Sequence, residues 1–120
     1  MRATFGPFET VFPPGNLRHH FAGQEDARGV YAKELHIPKG FRLVSHAHRY
    51  DHISILACGE VMLTIGTFTK WVKGPCAVMI EKGANHELQA LTDAVWFCVH
   101  PTDKIDTAEI DETLIVREAV

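Results

Sequence analysis

The sequence predicts an all-β domain, a sandwich or a barrel, on three observations. Short runs rich in Val, Ile, Leu, Phe, Thr and Trp recur from residue 29 onward at spacings near ten residues. The breaks between them carry Gly, Pro, Asn or Asp. Before residue 100, no segment shows the 3.6-residue apolar stripe of a helix.

In chain order the runs are 29–37 (GVYAKELHI), 41–46 (FRLVSH), 52–58 (HISILAC) and 60–65 (EVMLTI), then 68–72 (FTKWV), 76–81 (CAVMIE), 86–91 (HELQAL) and 93–100 (DAVWFCVH). Between them stand Pro38-Lys39-Gly40, Cys58-Gly59-Glu60, Gly66-Thr67, Gly74-Pro75, Lys82-Gly83-Ala84-Asn85 and Thr92-Asp93. Residues 1–28, with Phe5, Phe8, Val11 and Phe12 before Pro13-Pro14-Gly15, suit edge strands or an arm that packs on a partner subunit. The tail, 101–120, suits a short helix or a last strand. No repeat or linker divides the chain, so residues 1–120 are expected to form one domain around a 29–100 core.

The 46% apolar and 22% charged fractions are those of a globular chain. Twelve basic and fifteen acidic residues give a net charge of −3, and no cluster of Lys or Arg follows a phosphate backbone. Nucleic-acid and membrane-surface partners are therefore not expected; a small molecule or a second copy of the chain is. Cys58, Cys76 and Cys98 form no Cys-x-x-Cys motif and each lies in a β-like apolar run, so buried free thiols in a reducing compartment are expected. With no signal-like run in residues 1–25 and no apolar stretch long enough to span a bilayer, the expected location is cytoplasmic.

Eight histidines are several times the usual share. His46 and His48 stand two apart, so on a strand they share a face. His52 opens the next strand after a short turn, and His86 opens a later one just after Gly83-Ala84-Asn85. Convergent imidazoles inside a barrel need partners, and one transition metal satisfies several at once. The competing reading is a solvated loop that happens to hold three histidines.

The spacing around these residues resembles the cupin superfamily. Its first motif is Gly, five residues, His-x-His, three or four residues, Glu, six residues, Gly. This chain has Gly40, His46, His48, His52 and Gly59 at those spacings, with His52 where the family has Glu. Of the second motif, the Gly83-x-x-His86 core stands. Glu81 replaces the usual Pro, Gly74 comes one residue early and Ala90 takes the Asn position. The likeness covers about residues 29–100.

The resemblance implies a double-stranded β-helix (jelly-roll) barrel, one divalent metal on His46, His48, His52 and His86, and a homodimer. Four neutral imidazoles leave the ion formally +2, which keeps Fe, Co, Ni, Cu and Zn open and lessens the advantage of Mn. The family repertoire implies an enzyme acting on a small oxygenated molecule, by dioxygenase-like or Lewis-acid chemistry. The alternative is a ligand-binding or sensing module whose metal is structural.

The remaining candidates each carry a blander reading. His36 and His100 are weighed as interior residues beside the site against satisfied or surface histidines. Arg49 and Tyr50, between ligands, are weighed as substrate contacts. Trp71, Trp96, Phe41, Phe68 and Phe97 read as core or pocket wall, His19 and His20 as surface. Glu81 and Glu87 flank His86 and read as solvent or ion-pair residues before proton-transfer groups. No nucleophile elbow, phosphate loop, dinucleotide fingerprint or His-Glu-x-x-His helix is present.

Overall fold

The computed structural model describes residues 2–5, 8–10, 17–23, 29–45 and 51–101. Their regular elements are β-strands: β1 (Arg2–Phe5), β2 (Phe8–Thr10), β3 (Leu17–Ala22), β4 (Val30–Ile37), β5 (Arg42–Ser45), β6 (His52–Cys58), β7 (Glu60–Ile65), β8 (Phe68–Lys73), β9 (Cys76–Ile80), β10 (His86–Ala90) and β11 (Ala94–Pro101). The last eight are the eight runs read from the sequence, within a residue or two at each end.

Two antiparallel sheets result. One runs β2-β1-β5-β10-β7-β8, the other β3-β4-β11-β6-β9. Strands adjacent in sequence often fall in different sheets, as β5 and β6 or β9 and β10 do, so the chain winds back and forth between layers. The N-terminal strands extend the edges of both sheets: β1 pairs with β5, and β3 with β4. Those stretches thus act as edge strands within the chain. Val11, Phe12 and the tail from residue 102 lie outside the described residues.

Period-two alternation sends one side of each strand inward. Leu35 and Ile37 of β4, Leu56 of β6, Val78 and Ile80 of β9 and Trp96 of β11 meet Leu43, Val61, Leu63 and Leu88 from the other sheet. Each such side chain contributes roughly 1.5–3 kcal/mol by leaving water. Trp96 belongs to this core, as expected. Trp71 and Phe68 do not: both are exposed on the edge strand β8, Trp71 in the outward row with Met62 and Gln89, whereas Val72 beside it turns inward and is buried.

The chain enters and leaves each strand at one of two ends. At one end Gly59 turns β6 into β7, the Glu60 amide donates to Thr92 Oγ1 (3.0 Å), and the Lys39 amide donates to Asp93 Oδ1 (2.9 Å). The opposite end gathers the start of β6, the start of β10 and the last residues of β11. Cys58 corrects the expectation of three buried thiols. A register shift between Val95 and Trp96 pairs Cys58 with Val95 on the outer face, where it is exposed, whereas Cys98 is buried and Cys76 half-buried.

Candidate metal centre

Strand polarity alone brings three histidines to that second end. His52 begins β6, and His86 begins β10 with Ser45 and Ile65 as its cross-strand partners. His100 lies near the end of β11, opposite Tyr31 of β4. All three turn into the barrel and are only 2%, 3% and 3% exposed. His52 and His86 belong to opposite sheets, yet their ring centroids stand 5.8 Å apart with planes at 50°. His100 lies against His52, with centroids 4.3 Å apart.

His46 and His48 fall in the 46–50 link, outside the described residues, as do Arg49 and Tyr50. The anchors of that link are described. It leaves β5 at Ser45, the partner of His86, and arrives at Asp51, whose carboxylate accepts the Lys82 amide at 2.8 Å. The Gly66 amide donates to the Asn85 carbonyl at 3.1 Å, holding the turn before His86 against the β7–β8 hairpin. One anchor of the link thus pairs with His86 and the other is tied to the turn that leads into its strand.

Among the described residues alone, no group of three or more His, Cys, Asp or Glu side chains is arranged to hold a metal ion. The pair that is described fits one. Two imidazoles sharing an ion at about 2.0–2.1 Å per nitrogen have centroids no more than about 6.5 Å apart. His52 and His86 lie inside that limit. Their donor chemistry, neutral nitrogen in an apolar surround, suits a first-row transition ion.

Behind this end runs a series of aromatic contacts. Tyr31 is buried, its hydroxyl 2.6 Å from His19 Nδ1, and its ring lies nearly parallel to that of His100 at 6.3 Å. Phe21 closes the same group at 4.9 Å from Tyr31. Deeper along β6 and β11, Ser54 pairs with Cys98. Burial pushes the Cys98 thiol up, and the Lys33 charge offsets this only in part. A cavity of about 290 Å³ reaches His52 and His100 and is walled by Val30, Ile53, Met79 and Val99.

Two histidines weighed earlier go elsewhere. His36 turns to the outer face of β4 and, with His20 of β3, binds Glu34: Nε2 of His20 stands 2.9 Å from Oε1, and Nε2 of His36 contacts Oε2. The two imidazoles hold the Glu34 carboxyl below its ordinary range, the His36 hydrogen bond contributing most. His100, weighed beside His36, is the one that lies against His52. The register His100↔Tyr31 decides this, and it was invisible without knowing how β4 and β11 pair. Tyr31 was not singled out at all. A bulky residue two positions from the start of a strand carries no signal of its own.

No protein-family model matches the chain, and neither does any curated protein. Solved structures do. KdgF from Halomonas superposes with a TM-score of 0.60 at 12% identity, over 81% of this chain and 89% of its own. An RmlC-like cupin with a double-stranded β-helix fold from Methanocaldococcus jannaschii gives 0.56 at 17% identity, over 82% and 94%. A Bacillus halodurans protein gives 0.56 at 13%, and there the match spans 64% of this chain and 65% of the other. No helix of the described residues is long and apolar enough to cross a membrane. With its two wound antiparallel sheets and these structural neighbours, the chain has the cupin fold, a double-stranded β-helix.

Proposed function

We propose that the chain binds one divalent transition metal at the open end of the barrel through His46, His48, His52 and His86, and acts on a small oxygenated molecule there. The observation that carries this reading is the meeting of His52 and His86. They come from opposite sheets, are both buried, and their rings are 5.8 Å apart.

The residues divide the work. His52 and His86 offer neutral nitrogen from the two sheets. His46 and His48 lie on the link anchored next to them. His100, packed on His52, limits how that ring can turn, and Tyr31 backs His100. When bound, the metal supplies Lewis acidity toward a carbonyl, enol or carboxylate oxygen, or oxygen chemistry if it is iron or copper.

The test is metal content by element-resolved mass spectrometry on tag-free protein, beside His86→Ala and His48→Ala variants whose melts show them folded. About one transition metal per wild-type chain, lost in both variants, is expected. A closed four-coordinate zinc with no exchangeable position would favour the structural-metal module. Wild type without metal after reconstitution with Fe, Co, Ni, Cu and Zn overturns the site.

A further inference from the structure

At the end of the barrel that holds His52 and His86, each sheet turns one row of side chains inward. On the five-stranded sheet the row is Tyr31, His100, His52 and Ile80. On the six-stranded sheet it runs from His86 through Ile65 to Phe68. The rows meet where His52 and His86 approach each other. One half of this end therefore carries imidazole and phenol, and the other half carries Ile80, Ile65 and Phe68.

Phe68 stands apart from the other exposed apolar side chains. It shares the inward phase of β8 with Val72, which is buried, yet Phe68 is 65% exposed. Val30, Val44, Ile53, Ile55, Trp71 and Met79 are exposed as well, but each takes the outward phase of its strand. Charge keeps an edge strand in solution, and Lys70 and Lys73 already supply it to β8. An uncovered ring serves no such purpose. Its backbone is firmly placed: the Thr64 and Thr69 hydroxyls meet at 2.9 Å across the hairpin, and the Gly66 amide ties the hairpin tip to the Asn85 carbonyl beside His86.

We propose that Phe68 sets ligand specificity at the candidate metal centre, selecting a molecule with a flat apolar body next to its metal-binding oxygens. The inference rests on the metal reading above. Strands about 4.8 Å apart put the Phe68 backbone roughly 10 Å from that of His86, two strands away. A molecule with its oxygens at the histidine half and a ring-sized body spans that gap, with half-buried Ile65 between. Lys70, on the same phase as Phe68, is exposed too, so this side of β8 is open to an incoming ligand. Phe68 favours a ring over an alkyl chain, because two aromatic rings gain their offset or edge-to-face attraction beyond the area they bury.

Acetohydroxamate and benzohydroxamate test it, since they share a chelating group and differ as methyl from phenyl. Each is titrated into cobalt-loaded protein, with chelation read from the visible band of the ion. The ratio of benzohydroxamate to acetohydroxamate affinity is expected to fall about fivefold in Phe68→Ala. It is expected to hold in Phe68→Trp, and in Trp71→Ala, which removes an exposed ring from the outward phase of the same strand. Metal content is expected to be equal in all four proteins. An unchanged ratio in Phe68→Ala overturns the proposal and leaves the metal centre standing. Loss of metal from Phe68→Ala overturns it also, by showing a structural role. If wild type holds cobalt but neither chelator alters its band, the ion has no open position, and the proposal falls together with the reading it rests on.

Discussion

Gly59→Ala tests whether the β6–β7 end of the barrel is as tightly built as the geometry states. Gly59 joins β6 to β7 with φ of +95°, and a Cβ there would lie 2.5 Å from the Asp93 carbonyl oxygen and 2.8 Å from the Ala94 Cα. Both obstacles are backbone, held by the Thr92 and Asp93 hydrogen bonds, so neither retreats cheaply. The left-handed conformation costs about 1–2 kcal/mol for an L side chain, and the overpacking about 1–3 kcal/mol. The stiffer unfolded chain returns about 0.4–1 kcal/mol. The net loss is roughly 1–4.5 kcal/mol, or a fall in Tm on the order of 10 °C for a domain of this size. Gly66→Ala is the control: its φ is +59°, but nothing lies within 4 Å of its Cβ position, so only the conformational cost applies. Urea unfolding of both variants measures the difference. If the two fall within about 0.5 kcal/mol of each other, the close approach of the 92–94 backbone to Gly59 is wrong.

Three further outcomes are expected. Glu34→Gln removes a carboxylate whose pKa is lowered from about 4.5 in the folded chain; a lowered folded value stabilises above the unfolded value and is lost as pH falls through the folded one. Urea midpoints at near-neutral pH should therefore fall in the variant, and the gap should close in acid below about pH 4; a gap that widens there refutes the pairing with His20 and His36. Buried Cys98, its thiol pushed up by desolvation, should resist alkylation until the protein unfolds, while exposed Cys58 reacts in the native state; equal native rates, read by peptide mass spectrometry, would contradict the register shift between β6 and β11. Bound metal should be released as pH falls through the ordinary imidazole range near about 6.5, because protonated histidines do not ligate; full metal content at about pH 5 would show that the ligands are not histidines.

The barrel was legible because its signals are local. Each run from β4 to β11 is bounded by a turn residue whose requirement is steric, and Gly59 shows the reason: a motif glycine is needed where a neighbouring backbone leaves no room for a Cβ. What the runs do not encode is which sheet each strand joins, or that β1 to β3 extend both edges. Those depend on pairing between distant segments. Phe68 and Trp71 stay in water for the same cause: pairing alone tells that β8 is an edge strand and that Trp71 takes its outward phase while Val72 takes the inward one.

The candidate site shows the same division more sharply. His52 and His86 were legible because each opens a strand at motif spacing. His36 and His100 were indistinguishable in sequence, since both are strand histidines near an element's end. Strand polarity separates them. β4 runs away from the site toward Ile37, so its late residue His36 falls at the opposite end and faces out, while β11 runs toward the site and delivers His100 beside His52. In an antiparallel barrel, the histidines that share one end are those early on strands leaving it or late on strands arriving there, with side chains on the inward phase. His52 and His86 meet the first condition and His100 the second, whereas His36 fails both. The mouth of the barrel is therefore defined by direction and phase together, and a histidine count alone could not have found it.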